Sequence, residues 1–188
     1  MSDEPPRREA TYADLEELPP NCVGEIIEGE LHVSPRPRPM HARAAGRLFN
    51  ALDSFDQDAG EEGPGGWVLL YEPELHLGRE VLVPDLAGWR RERMPELPEE
   101  AAFTLAPDWV CEVLSPSTAV LDRGQKQKSY AREGVQHLWL VDPAVRSLEV
   151  YRLERGDWVL LGKHKGEAKV HAEPFEVLAL ELGRLWSR

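Results

Sequence analysis

The chain has 188 residues, of which 41% are hydrophobic and 30% are charged, and its formal net charge is −12. This is the composition of an ordinary globular protein, and its two cysteines are too few for a disulfide framework. No apolar stretch is long enough to span a membrane. The acidic balance argues against nucleic-acid binding through overall charge, because neutralising phosphates requires a positive surface. Any nucleic-acid partner would need local basic patches, or metal ions that join carboxylates to phosphates.

Residues 1–10 are polar and rich in proline, which predicts a flexible tail. They lack the apolar core of a signal peptide, so we expect a cytoplasmic protein. Residues 11–188 show neither an internal repeat nor a domain linker, and we expect a single domain over this range.

The first third of the domain predicts a helix, a hairpin and a second helix. Residues 11–18 are expected to form a short helix with Thr11 as its N-cap. The dipeptide Glu28-Gly29 lies between two alternating apolar segments, which is typical of a β-hairpin turn. Residues 41–55 carry apolar side chains at helical spacing and predict a second helix.

The remainder of the domain predicts several strands and one further helix, which follows the strand that ends at Leu114. The expected strands are 67–71, 74–77, 81–87, 109–114, 137–143, 147–153 and 158–161, with a last strand or short helix within 175–185. This order of elements indicates an α/β (α+β) fold with a mixed central sheet and few flanking helices.

Two of the apolar strands each contain one carboxylate, Glu112 in the run 109–114 and Asp85 in the run 81–87. A carboxylate in a strand covered on both faces is costly unless it pairs with a cation or binds a metal. Glu112 can therefore form an internal ion pair with a buried lysine or arginine, it can lie in water at the end of the strand, or it can bind a metal ion. If the two strands are neighbours, both acids meet at one end of the sheet, where two carboxylates and water would suit Mg²⁺.

The helix after Glu112 supplies a candidate lysine for such a site. Asp122, Lys126 and Tyr130 recur every four residues and share one helix face, whereas Lys128 points about 160° away from Lys126. We therefore expect Lys126 to face the sheet. The alternative is that both lysines are solvated surface charges.

Several segments together resemble a known family. They are EIIEGEL (25–31), VLVPDLAGW (81–89), PDWVCEVLSPST (107–118), DRGQKQKSYAREGV (122–135) and HLWLVDP (137–143). They are similar to the Uma-type family of restriction-endonuclease-like proteins, which belongs to the PD-(D/E)XK nuclease superfamily. The resemblance covers nearly the whole chain after residue 11, and it implies a restriction-endonuclease-like mixed sheet flanked by helices, Mg²⁺ or Mn²⁺ as cofactor, and DNA as partner.

The resemblance also implies roles for individual residues. Asp85 matches the acid of the family's Pro-Asp element, Glu112 matches the second acid, and the backbone carbonyl of Val113 would be a third metal ligand. The superfamily expects a lysine two residues after the second acid, where this chain has Leu114. The family's lysine is matched instead by Lys126 in the following helix, as a catalytic residue.

Two further residues match the family and are expected to line the catalytic cleft in supporting roles. Glu30 matches the acid after the hairpin glycine, and His41 matches the histidine that opens the second helix. The positive end of the helix dipole would keep His41 neutral, so that it could bond to a phosphate or to a metal-bound water. The alternative is that His41 is a partly buried helix cap.

The function that these features predict is a metal-dependent endonuclease that hydrolyses DNA phosphodiester bonds. An alternative is a non-catalytic module that keeps the nuclease fold, as a homodimer or within a larger complex. A third is a hydrolase of a small phosphorylated metabolite, which an acidic surface would hinder less. Arginines near these segments could contact phosphates or could keep a connector soluble: Arg36, Arg38, Arg43, Arg47, Arg90, Arg91 and Arg93.

Overall fold

The computed structural model describes residues 8–56 and 63–187. Most of the predicted flexible tail, residues 1–7, lies outside the described residues. The last tail residues contact the domain, because the amide of Ala10 donates a hydrogen bond to the carbonyl of Gly29 at 2.8 Å.

The elements follow the predicted order closely. The strands are β1 (Cys22–Ile27), β2 (Glu30–Pro35), β3 (Trp67–Tyr71), β4 (Leu75–Leu77), β5 (Glu80–Leu82), β6 (Leu86–Arg90), β7 (Trp109–Val113), β8 (His137–Asp142), β9 (Ser147–Glu154), β10 (Asp157–Lys165), β11 (Lys169–Val170) and β12 (Leu180–Glu181). The helices are α1 (Tyr12–Glu16), α2 (Pro39–Ala51), α3 (Ala119–Leu121), α4 (Gln127–Arg132) and α5 (Gly183–Trp186). A π-helical turn (Asp122–Lys126) joins α3 to α4, and we call the continuous segment 119–132 the crossover helix.

Local sequence signals account for the first elements. The amide of Thr11 donates to the carboxylate of Asp14 at 2.7 Å, which completes the reciprocal cap of α1. Glu28 and Gly29 have φ angles of 52° and 78°, the left-handed backbone that a tight two-residue hairpin turn requires. The second helix is shorter than predicted, since α2 ends at Ala51 and a 3₁₀ turn follows it.

The apolar run 81–87 is not a single strand, contrary to the sequence prediction. It divides at Pro84 and Asp85, so that β5 belongs to one sheet and β6 to another. Pro84 has no backbone N–H to donate to a neighbouring strand, which explains why the ladder stops there. Asp85 consequently lies in the break between two strands instead of within one.

The central sheet has six strands in the order β10-β9-β8-β7-β6-β3. Strands β7 and β8 are parallel, whereas the other neighbouring pairs are antiparallel, so the sheet is mixed as predicted. A parallel pair needs a long connection, which the crossover helix provides between β7 and β8. A second sheet has the order β2-β1-β5-β4, and β11 pairs with β12.

Hydrophobic side chains cover both faces of the central sheet. Trp109, Cys111 and Val113 of β7 point into a core that includes α2 and the C-terminal segment. Val110 and Leu114 point into the opposite core, with the crossover helix and the four-stranded sheet. Glu112 lies between these last two residues at alternate positions of the chain, so its side chain points to the same face of the sheet, toward the crossover helix. No helix within the described ranges is long and apolar enough to cross a membrane.

Candidate active site

A cavity of about 130 Å³ opens where the first hairpin, the start of α2, the end of β7 and the crossover helix meet. It has room for an ion with a few water molecules, at about 30 Å³ for each water. Its lining is rich in carboxylates, which face one ammonium and one imidazole in the interior and two arginines at the mouth. These residues are Glu25, Glu72, Asp85, Glu112, Asp122, Lys126, His41, Arg36 and Arg38.

Asp85 is placed by the pairing of β6 with β7. Leu86 lies opposite Cys111, so the preceding residue reaches the end of β7. There, Oδ2 of Asp85 accepts a hydrogen bond from the amide of Val113 at 2.7 Å, and Oδ1 lies 3.2 Å from Nε2 of His41. The strand that follows Asp85 is therefore a neighbour of the strand that contains Glu112, and both acids face the same cavity.

Glu112 is almost fully buried, with 2% of its surface exposed. Its Oε1 accepts a hydrogen bond from the hydroxyl of Tyr130 at 2.5 Å and lies 2.8 Å from Nζ of Lys126. The same ammonium lies 2.8 Å from Glu25 and 3.7 Å from Asp122. The internal ion pair that the sequence left open is thus present, but one ammonium cannot balance three carboxylates.

The crossover helix presents Asp122, Lys126 and Tyr130 to this site on one buried face, as the spacing predicts. Lys128 is exposed on the other side of the helix. The π-helical turn contains both Asp122 and Lys126, and such turns often occur at functional sites. Helical periodicity therefore identifies which of the two lysines faces the sheet.

The pKa values follow from burial and from the excess of negative charge. Burial raises the pKa of Glu112 well above its usual value, and the neighbouring carboxylates add to this shift while Lys126 opposes it. Burial likewise raises the pKa of Asp122 to about 6, against the attraction of Lys126. Burial alone would lower the pKa of Lys126, but Glu112 and Glu25 outweigh it and raise that pKa well above its usual value. Lys126 therefore remains an ammonium at neutral pH.

Comparison with known proteins shows the family and the fold of this chain. A family model described as "Uma2: Putative restriction endonuclease" matches residues 10–183. The chain belongs to the Uma2 family. One of the solved structures that match is that of a protein described as "a putative nuclease belonging to DUF820" from Anabaena variabilis. It is 23% identical, with 94% of this chain and 97% of that chain covered, and its TM-score of 0.74 shows a shared fold. A search of curated proteins found no match.

His41, which was expected to match the family's histidine, is buried at the third position of α2. Burial lowers the pKa of His41. The hydrogen bond and the charge of Asp85 raise it by more than burial lowers it, and the backbone carbonyl of Val113 also raises it. The net effect raises the pKa of His41, which is opposite in direction to the effect expected from the helix dipole. The charge of Asp85 acts at hydrogen-bond distance, whereas the helix dipole is a diffuse partial charge.

Glu30 lies outside the cavity, contrary to the expectation from the family resemblance. It is exposed at the tip of the hairpin and lines a different depression, together with Glu28 and Gly29. In the register of the hairpin, Glu30 lies opposite Ile27, which is two residues, or about 7 Å, from Glu25. Distance along the strand therefore removes Glu30 from the site.

Glu25 occupies the place in the site that was expected for Glu30. It is buried, it lies 2.8 Å from the ammonium of Lys126, and its Oε1 accepts a hydrogen bond from the amide of Val83 at 2.8 Å. The sequence reasoning missed Glu25, because the segment EIIEGEL contains three glutamates and alternation alone does not say which lies beneath the crossover helix. The bulky Ile26-Ile27 pair that follows Glu25 was the available signal that this end of the strand is buried.

Most of the arginines that could have bound phosphate have structural roles instead. Arg43 and Arg47 donate to backbone carbonyls of the C-terminal segment. Arg90 stacks over Trp67 at 4.1 Å, Arg91 donates to the Trp67 carbonyl, and Arg93 pairs with Asp108 at 2.7 Å. Arg36 and Arg38 are the exposed arginines at the mouth of the cavity.

The donor set of the site fits a hard cation such as Mg²⁺. In the part of the chain that the structure describes, no group of three or more His, Cys, Asp or Glu side chains is arranged to hold a metal ion. Mg²⁺ needs only one or two protein carboxylates, because it keeps several water molecules. Asp85 and Glu112 would supply these carboxylates, because their bonds to His41, Val113, Tyr130 and Lys126 leave further lone pairs on the oxygens.

Proposed function

We propose that this Uma2 protein is a metal-dependent endonuclease that hydrolyses DNA phosphodiester bonds. The observation that supports this proposal is the charge in the interior of the cavity, where Glu25, Asp85, Glu112 and Asp122 face one ammonium and one imidazole, with two arginines only at the mouth. Buried carboxylates in such an excess are costly without further positive charge. A divalent cation would balance the excess and would also attract a phosphate.

Asp85, Glu112 and the carbonyl of Val113 would hold Mg²⁺ or Mn²⁺. The ion, when bound, would polarise a phosphoryl oxygen and lower the pKa of a coordinated water. His41 orients Asp85 through its Nε2 contact, and Tyr130 orients Glu112 through its hydroxyl.

The protonation state of Lys126 limits the catalytic roles that it can have. Because its pKa is raised, it cannot take a proton from water at neutral pH, so it is not the general base. Its ammonium instead stabilises the negative charge that develops on the phosphate and helps to position the attacking water. Glu25 and Asp122 hold the ammonium toward the cavity.

Arg36 and Arg38 are the proposed contacts to the DNA backbone. They lie at the mouth of the cavity on a stiff proline-rich connector, and the guanidinium of Arg36 is anchored by the carbonyl of Pro20 at 3.1 Å. With two phosphate contacts, the affinity for duplex DNA should fall only slowly with salt, at a slope of about −2 for the logarithm of the binding constant against the logarithm of the salt concentration. Such a footprint is consistent with an acidic protein that binds DNA weakly unless metal is present.

A cleavage assay with purified protein, plasmid DNA and Mg²⁺ tests the proposal. We expect Asp85→Asn and Glu112→Gln to lower the cleavage rate by about 100-fold or more, because each removes a charged metal ligand. Glu30→Gln is the matched control, since it removes a carboxylate outside the cavity, and it should retain wild-type activity. Wild-type cleavage that is equalled by Asp85→Asn or Glu112→Gln would refute the assignment.

The second candidate is a non-catalytic module that retains the nuclease fold. The contact between Lys126 and Glu112 supports this candidate, because an ion pair can replace a metal in neutralising a buried acid. Calorimetric titration with Mn²⁺ separates the two proposals. Binding by the wild type that is lost in Glu112→Gln favours the enzyme, and the absence of binding favours the module. A homodimer and a cytoplasmic location remain predictions from the sequence.

A further inference from the structure

The two edges of the six-stranded sheet differ in how they are covered. At the β3 edge, the amide of Leu69 donates to the carboxylate of Asp56 at 3.1 Å, and Arg91 donates to the carbonyl of Trp67 at 3.1 Å. Side chains thus satisfy outward backbone groups of β3, whose first three residues are buried. This edge is closed to another strand.

The β10 edge is open. In the described part of the chain, the backbone of residues 157–164 makes no hydrogen bonds beyond those to β9. The outward N–H and C=O groups of this nine-residue strand therefore face solvent. Three successive apolar residues at its middle are also exposed, Val159 at 37%, Leu160 at 50% and Leu161 at 38%. A long open edge with exposed apolar side chains is a template for pairing with another strand.

We propose that β10 pairs antiparallel with β10 of a second copy of this chain, which joins the two central sheets into one. The charges along the strand support a copy of itself as the partner. In a twofold pairing centred on Leu161, Asp157 lies opposite Lys165 of the second copy. In a pairing centred on Leu160 it lies opposite Lys163, whose ammonium already pairs with Glu149. The register centred on Leu161 therefore joins opposite charges at both ends and places Leu161 on the axis.

This pairing satisfies the requirements of a closed dimer. A twofold axis makes the same patch meet itself, so the assembly ends at two copies and leaves no free β10 edge. Edge lysines and the irregular register between Leu160 and Gly162 would disfavour extended aggregation while they allow one defined partner. The active-site cavity lies at the end of β7, which is separated from β10 by β9 and β8, and the dimer leaves it open.

Cysteine cross-linking combined with sedimentation tests this interface without any reading of DNA cleavage, so its outcome is independent of the proposed nuclease function. In a Cys22→Ser background, Leu161→Cys should form an intermolecular disulfide on mild oxidation, because residues on the axis of an antiparallel pair have Cα atoms about 4.5–5.5 Å apart. Val177→Cys is the control, since Val177 is highly exposed away from β10 and should not cross-link.

The charge pairing gives a second measurement. Asp157→Lys should weaken the sedimentation-derived dimer constant about tenfold or more, because it places lysines opposite each other. Asp53→Lys makes the same charge change at an exposed position near the β3 edge and should leave the constant unchanged. The proposal is overturned if the wild type is a monomer at micromolar concentrations. It is also overturned if a dimer forms that Leu161→Cys does not cross-link, or that Asp157→Lys does not weaken.

Discussion

Glu112 and Glu149 occupy nearly equivalent positions in the same sheet. Leu140 of β8 pairs with Glu112 on one side and with Glu149 on the other, so both acids lie on the face that meets the crossover helix. Both are buried, with 2% and 3% of their surface exposed. Nevertheless, the groups around Glu149 are mainly cationic, whereas those around Glu112 are mainly carboxylates.

Glu149 is fully paired. Arg123 donates two hydrogen bonds to it at 2.7 and 3.1 Å, and Lys163 and Tyr151 add one each. The bonds from Arg123 outweigh burial and, with the other donors, lower the pKa of Glu149 to about 2. Glu112 instead shares one ammonium with other acids, and its pKa is raised. The comparison teaches that burial of a carboxylate does not by itself distinguish the candidate site, whereas the excess of buried negative charge around Glu112 does.

The largest expected effect comes from removing the one ammonium of the acidic site. Lys126→Met should lower the free energy of unfolding by about 3 kcal/mol at pH 8 in metal-free buffer, because it leaves Glu112 and Glu25 buried without a partner. Lys128→Met is the matched control, since Lys128 is exposed two residues away, and it should change stability by less than about 0.5 kcal/mol. Urea unfolding measures both, and equal effects would show that the ammonium does not hold the acids.

Neutralising each acid in turn tests the contrast directly. Glu149→Gln should destabilise the protein by about 1–2 kcal/mol, because Arg123 and Lys163 lose a charged partner but are themselves partly exposed. Glu112→Gln should cost less than about 0.5 kcal/mol at pH 8, or stabilise the protein, because its surroundings disfavour the charged form. A larger cost for Glu112→Gln than for Glu149→Gln in metal-free urea unfolding would reverse the comparison.

Acid should weaken the paired region first. The folded pKa of Glu149, about 2, lies below its ordinary value of 4.5. Its stabilisation is therefore complete above about pH 4.5 and is lost as the pH falls from there toward 2. Between pH 5 and pH 3 the wild type should lose about 1 kcal/mol more than Glu149→Gln. Denaturant unfolding at each pH measures this difference, and parallel pH profiles would contradict it.

The smallest effect is expected at Asp122, and its sign is opposite. Its folded pKa of about 6 lies above its ordinary value of 3.8, so its charged form costs stability above about pH 6 and costs nothing below about pH 4. Asp122→Asn should therefore raise the free energy of unfolding by about 1 kcal/mol at pH 8 and leave it unchanged at pH 4. An equal gain at both pH values would show that charge is not the cause.

Much of the fold could be predicted because its signals are local. The hairpin turn at Glu28-Gly29, the cap at Thr11 and the apolar strand around Glu112 depend on neighbours within a few residues. The selection of Lys126 over Lys128 has the same basis, since helical periodicity decides which side chains share a face.

The sequence by itself determined the family, the order of the elements and two acids that face a helix with a lysine. Only the tertiary structure decided that Glu25 enters the site while Glu30 stays outside, and that the run around Asp85 divides between two sheets. It also decided that cationic donors balance the charge of Glu149, while the charge around Glu112 stays in negative excess. The physical reason is that periodicity fixes the direction of a side chain within its own element, whereas charge balance depends on which distant elements pack against it.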